Sequence, residues 1–351
     1  MRVTLGVTLA TLLALVTAAC DPAEPEPPEV VEQTPAPAPE PPPAPTPTPT
    51  PTPTQTPEAA PTPTPAPQPA RLVWVGVEDD DRTVLLDLDA GEIVEDHATP
   101  GGPHNVTVAP DGTAAAALYA TTDLAVIADG EATTVTLGDT PHDVKATDEW
   151  FIVANEAGQR LDYVSLDGEP GPSVSLRGEP HDLAINPDGQ TAWVTLNRLD
   201  ELAVVDLDAA EVVRYVSTGH APHDLLFARD GRLWVTDWTG LVLVLDGDEV
   251  VEARELGVEA HHLAFTPDGA AAWITDHGTN ELFMLDAATV QVRETIGLPG
   301  APHHVAISAD GALAAVADHT NGRLLVYDTA TREQVDAIHV GPGPHGVWAV
   351  P

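Results

Sequence analysis

The feature that most constrains this chain is a dipeptide that returns seven times: Pro103-His104, Pro141-His142, Pro180-His181, Pro222-His223, Ala260-His261, Pro302-His303 and Pro344-His345. The histidines are 38, 39, 42, 38, 42 and 42 residues apart. A fixed period near 40 means one supersecondary unit stacked against copies of itself. The unit beginning at Ala301 divides into four short segments of β character, HVAIS, ALAAVAD, RLLVYD and EQVDAIHV, separated by turns. Asp-Gly marks the first turn at Asp111, Asp188, Asp230, Asp268 and Asp310, where a tight connection needs positive φ. The runs are Val, Ile, Thr and Trp in alternating stretches without helical periodicity, which excludes a helical solenoid.

Four strands in about 40 residues, seven times over, predict an all-β chain. The expected fold is a seven-bladed β-propeller of four-stranded blades. Its ends fit ring closure. LVWVGV at Leu72 matches the second strand of a unit, as in AWVT at Ala192, LWVT at Leu233 and AWIT at Ala272. GVWAV at Gly346 matches a first strand. The C-terminal strand is therefore expected to pair with residues 72–98, complete the seventh blade and leave no free edge at the seam. Trp193, Trp234 and Trp273 repeat in register and are expected in the core.

Composition separates this domain, 71–351, from what precedes it. Of 36 prolines, 21 lie between Asp21 and Ala70, with seven acidic residues and no basic one. Residues 21–70 cannot form a core. They read as a disordered, Pro/Thr-rich acidic stalk in polyproline II geometry, with a reach on the order of 150 Å at about 3.1 Å per residue. Its Thr-Pro repeats are also candidates for O-glycosylation. Residues 1–20, with Arg2, an apolar run from Val3 to Val16 and a close in Thr17-Ala18-Ala19-Cys20, read as an export signal. That ending resembles the lipobox of bacterial lipoproteins, although Thr17 stands where an aliphatic residue is usual. The resemblance implies cleavage before Cys20, lipidation of Cys20 and anchoring at a membrane of the cell envelope. The expected location is the periplasmic or extracellular face. Cys20 is the only cysteine, so no disulfide stabilises the domain.

The units resemble the YVTN-type propeller repeat of surface-layer and periplasmic proteins, in which an apolar strand after Pro leads to Ser-Pro-Asp-Gly and a strand ending Tyr-Val-Thr-Asn. The counterparts are AINPDGQTAWVTLN at Ala184 and AFTPDGAAAWITDH at Ala264, each followed by a strand such as ELAVVDLDAAEVV. The likeness extends across nearly all of 71–351. It implies the fold and leaves the function open, since propellers host enzymes and interaction modules alike.

Net charge is −41, with 14 Lys and Arg against 55 Asp and Glu, which excludes a nucleic-acid surface. No nucleophile triad and no phosphate-binding glycine loop is present, and the one lysine, Lys145, lies within a blade. The departure from the repeat family is histidine. Each of His104, His142, His181, His223, His261, His303 and His345 precedes the innermost strand of its blade, so all seven are expected at one mouth of the channel. His277 and His319, at the turn after strand two, face the same way, and His262 and His304 double the repeat histidine. Aspartates at 143, 182 and 224 hold that second position in other blades.

Imidazoles with an occasional carboxylate suit a transition metal, with Cu or Zn the expected ions. Seven residues cannot all bind one ion. The favoured subset is His261, His262, His303, His304 and His345, from three consecutive blades. Nitrous oxide reductase is similar in setting propeller histidines around copper, but its second, cysteine-containing copper domain has no counterpart here. The strongly acidic chain is expected to raise histidine pKa values, so that acid weakens binding. A structural alternative stands beside this one. In WD-repeat propellers a histidine locks each blade by bonding an aspartate after strand two, and Asp237, Asp276 and Asp318 are placed for such locks.

Three functions follow: a binding module for a transition metal or a metal-containing ligand, an enzyme, or a protein-interaction scaffold. The streptogramin lyase family resembles the chain in Pro344-His345-Gly346, but the glutamates at its strand-two ends are replaced here by Thr195-Leu196-Asn197, Thr236-Asp237 and Thr275-Asp276. Lactonase-like propellers share only the fold. The reading that best explains the histidines is a monomeric binding module, with a small ligand or protein partner at the histidine face.

Overall fold

In the computed structural model residues 70–351 are described. The signal, the lipidation at Cys20 and all but the last residue of the stalk lie outside them. Those residues form seven four-stranded antiparallel sheets. Blade 1 unites residues 344–349 with 72–98, and blades 2 to 7 follow as 103–136, 141–175, 179–217, 222–255, 260–297 and 302–339. The last strand, Pro344–Ala349, pairs with the first, Leu72–Val77. The ring closes as the repeat pattern predicts.

The hydrophobic core is seven cores rather than one, each lying between two neighbouring blades. Strand alternation explains this, because the two faces of every blade must each find a partner and only a closed ring supplies one. Trp193, Trp234 and Trp273 are 5%, 0% and 2% exposed and fill the interfaces of blades 4 with 5, 5 with 6 and 6 with 7. Truncating one to alanine would cost about 3–5 kcal/mol. The Asp-Gly turns form as predicted: glycines 112, 189, 231, 269 and 311 have φ between 73° and 95°. In these turns the aspartate carboxylate accepts the N–H of the residue two further on, at 2.9 Å for Thr113 and Gln190.

One irregularity positions the site. In all seven blades the innermost strand carries one extra residue against its neighbour, directly after the Pro-His or Ala-His pair: Pro222 faces Asp237 and Leu225 faces Val235, and the other six repeat this shift. A regular strand would send consecutive side chains to opposite faces. The bulge breaks that alternation and turns both the histidine and its successor toward the channel. The repeated dipeptide is thus the sequence mark of a bulge.

Candidate metal centre

The seven repeat histidines form a closed ring of imidazoles. Successive ring centroids, from His104 through His142, His181, His223, His261, His303 and His345 back to His104, stand 4.4, 3.7, 4.6, 4.2, 5.3, 4.2 and 3.6 Å apart. Above this ring lie the residues that follow strand two. His277 stacks on His261 at 3.9 Å and His319 on His303 at 4.3 Å, while Trp238 stands edge-on to His223 at 4.2 Å and Tyr119 lies 5.0 Å from His104. Glu78, Glu156 and Arg198 hold the same position in blades 1, 3 and 4. Below the ring lies the second-position tier, Asn105, Asp143, Asp182, Asp224, His262, His304 and Gly346.

All eleven histidines singled out from the sequence therefore line one channel, on three levels. The favoured five are split between two of them. His261, His303 and His345 belong to the ring, whereas His262 and His304 lie one step deeper and stack on each other at 3.3 Å.

Threonines hold the bulges. The Thr236 hydroxyl accepts the Asp224 N–H at 3.0 Å and donates to the His261 carbonyl of the next blade at 2.5 Å. Thr275 does the same between His262 N–H and the His303 carbonyl, at 3.1 and 2.6 Å. The Thr-Asp ends of strand two thus tie blade to blade under the ring. Gly346 takes the second position at the seam because a Cβ there would meet the His104 carbonyl oxygen and stand 2.9 Å from Asn105 Cα.

The blade-lock alternative is not what the aspartates do. Asp237 accepts the Thr239 N–H at 2.7 Å, Asp276 accepts the N–H groups of Val258 and Glu259, both at 3.0 Å, and Asp318 binds Asn321 and Arg323. Asp237 and Asp318 stabilise their own turns, and Asp276 joins its turn, through Thr279, to the loop that enters its blade. The repeat histidines bond elsewhere: His142 Nδ1 lies 3.0 Å from the His181 carbonyl, His223 Nδ1 3.1 Å from that of His261, and His181 Nδ1 3.0 Å from Asp182 Oδ2. Among the described residues six buried imidazole nitrogens have no partner: Nδ1 of His104, His261, His303 and His345, and Nε2 of His277 and His304.

The electrostatics correct the expectation drawn from net charge. Burial, reinforced by repulsion from neighbouring imidazoles, pushes His104, His223, His261, His262, His303 and His345 well below the usual histidine range. Burial also takes His277 down to about 4 and His304 to about 3. Desolvation and crowding outweigh the acidic surface, so these rings are neutral at pH 7 and available as ligands. His142 is the exception. Burial pulls it down, but Asp182 more than offsets this and raises it. The tier below is mixed: burial and Asp182 raise Asp224 well above the carboxylate range, whereas His181 and His142 overcome the burial of Asp182 and lower it. Lys145 is held against Asp143, with both carboxylate oxygens at 2.6 Å.

Five sets of side chains bring three ligand atoms within 4.8 Å of one another: His223, His261 and His262; His261, His277 and His303; Glu78, His104 and His345; His142, His181 and Asp182; and Asp182, Asp224 and His262. A tetrahedral ion with bonds of about 2.0–2.1 Å spaces its donors about 3.4 Å apart, so sets of this size can close on one with small side-chain adjustments. Glu78 was not among the candidates from sequence. The signal was its alignment with His277 and His319, one residue past strand two.

Fold and site together define a closed seven-bladed β-propeller with a histidine-lined channel mouth. The chain belongs to the YNCE-like beta-propeller family, whose model matches residues 141–351. The YVTN-type resemblance of its repeats agrees with that match. No curated protein matches the sequence. Similar solved structures include the Pseudomonas aeruginosa periplasmic gluconolactonase PpgL, 20% identical over 81% of this chain and 99% of that one with a TM-score of 0.68. Kuenenia stuttgartiensis hydrazine synthase is 19% identical over 71% and 89%, with a TM-score of 0.66. Virginiamycin B lyase from Staphylococcus aureus is 14% identical over 71% and 92%, with a TM-score of 0.63. At these identities the likeness shows the fold.

Proposed function

We propose that this protein is a lipid-anchored, extracytoplasmic binding module whose histidine mouth holds a transition-metal ion. The observation that carries the reading is the closed imidazole ring with its unpartnered buried nitrogens. Each such nitrogen costs about 1–3 kcal/mol if nothing meets it. Neutral imidazoles crowded within stacking distance are a poor way to lock blades and a good way to bind Zn or Cu. The space at the mouth, about 230 Å³, favours an ion with its remaining water over a metal-containing cofactor, because sites for larger ligands run from about 300 Å³ upward. Lipid on Cys20 would hold the module at the envelope, and the stalk would set its distance from the membrane.

The test is elemental analysis of the protein, produced without a histidine tag and purified without chelator, followed by titration with Zn²⁺ and Cu²⁺ at pH 7.5 and pH 5.5. Stoichiometric metal at pH 7.5 that is lost when His303 and His345 are both replaced by Gln, in a variant that still folds, supports the reading. Absence of metal and of saturable binding would leave an interaction scaffold with structural histidines.

A further inference from the structure

Resting on that reading, we infer that the ion is held at the seam of the ring by Glu78, His104 and His345, a set of two imidazoles and one carboxylate. Glu78 directly follows the strand Leu72–Val77, the position that places His277 and His319 over the ring in blades 6 and 7. Its N–H donates to the Gly343 carbonyl at 2.8 Å, which fixes it beside the entry of the last strand. Its carboxylate accepts no hydrogen bond among the described residues. His345 is 4% exposed and its Nδ1 is unpartnered, as is Nδ1 of His104, and the two rings stand 3.6 Å apart. Three ligand-bearing side chains converge here, and each of the two imidazoles has an unpartnered nitrogen.

The competing sets are less suited. In two of them, His223 with His261 and His262 and His142 with His181 and Asp182, every member is buried, which leaves an ion no open approach. In the set of Asp182, Asp224 and His262, also wholly buried, the Asp182 carboxylate is taken by Asn105 at 3.0 Å and His181 at 3.0 Å. His277 and His303 are half-buried and His261 is buried, the same mix as in the seam set, but these three bring no negative charge. Glu78 is half-buried, so the seam set combines a carboxylate with an open approach and room for water on the ion, the pattern of two histidines and one carboxylate that suits Zn²⁺ or Fe²⁺. An ion there would cross-link the last strand, the first blade and the second blade, and so hold the ring shut.

The experiment is calorimetric titration of the untagged full-length protein with Zn²⁺, with thermal unfolding followed in parallel. Wild type should take up one Zn²⁺ per chain and melt higher with it. Glu78→Gln should weaken binding at least about tenfold and abolish the rise in melting temperature. Glu156→Gln, the equivalent rim carboxylate in blade 3, should bind within about twofold of wild type, the margin below a tenfold ligand effect. Should Glu78→Gln not fold, His104→Gln serves in its place with the same expected loss. Unchanged Zn²⁺ binding by Glu78→Gln, with binding lost in His277→Gln, would overturn the seam site and move the ion to His261, His277 and His303 while the metal reading stands. No saturable binding by wild type would remove the metal reading itself.

Discussion

His104 and His345, near opposite ends of the propeller in sequence, meet with ring centroids 3.6 Å apart and planes tilted by 32°, and there the imidazole ring and the blade ring close together. Removing residues 344–351 would take out His345 and the strand that covers Leu72–Val77, and would uncover Val73, Val75 and Val77, all now fully buried. The strand Leu72–Val77 would then be left as an unpaired edge, so the truncated chain should lose its cooperative thermal transition and self-associate. Circular dichroism melts with size-exclusion chromatography check this; a sharp melt from a monomer would contradict it.

Thr236 is fully buried and connects Asp224 of its own blade to His261 of the next. Thr236→Val keeps the shape and leaves both partners unsatisfied, which should cost about 1–3 kcal/mol in urea unfolding. Thr236→Ser, which retains the hydroxyl, should recover most of that loss.

Gly346 sits where any Cβ would press on the backbone at His104 and Asn105. Gly346→Ala should therefore lower stability by about 1–3 kcal/mol, the usual cost of overpacking, and should shift the two seam histidines. The urea midpoint measures the first effect and metal affinity the second.

The depressed histidines make metal-free stability depend on pH. In the unfolded chain they titrate near about 6.5. Folded, His277 titrates at about 4 and His304 at about 3, with His104, His223, His261, His262, His303 and His345 also well below their ordinary value. Below about pH 6.5 the unfolded state binds more protons, so stability falls as pH falls from there toward about 4. Glu78, raised by burial and Asp79 to about 7, acts in the opposite sense, as do the raised Asp224, Asp143 and His142, but these are fewer. Urea unfolding without metal should show lower stability at pH 5 than at pH 7.5. A flat profile would mean that the rings are not desolvated as described.

Blade number, ring closure, the tryptophan cores and the convergence of eleven histidines were all legible, because each follows from a repeat that places equivalent residues at equivalent points of a ring. The division of His261 from His262, and of His303 from His304, was not. Alternation alone would put the members of each pair on opposite faces, and only the bulge shows that both enter the channel at different depths. The pKa direction was also misread, because net charge reports the surface while these imidazoles respond to burial and to one another. Glu78 carries no such repeat mark in the sequence, because it is a glutamate where two other blades have histidine.

The most direct test of the central claim is X-ray absorption spectroscopy at the metal edge of the untagged protein loaded with one equivalent of Zn²⁺ or Cu²⁺. The account predicts nitrogen and oxygen donors at about 2.0–2.1 Å, multiple scattering from at least two imidazoles, and no sulfur. A spectrum of oxygen donors alone, without imidazole scattering, would place the ion on the acidic surface and contradict the histidine mouth as its site.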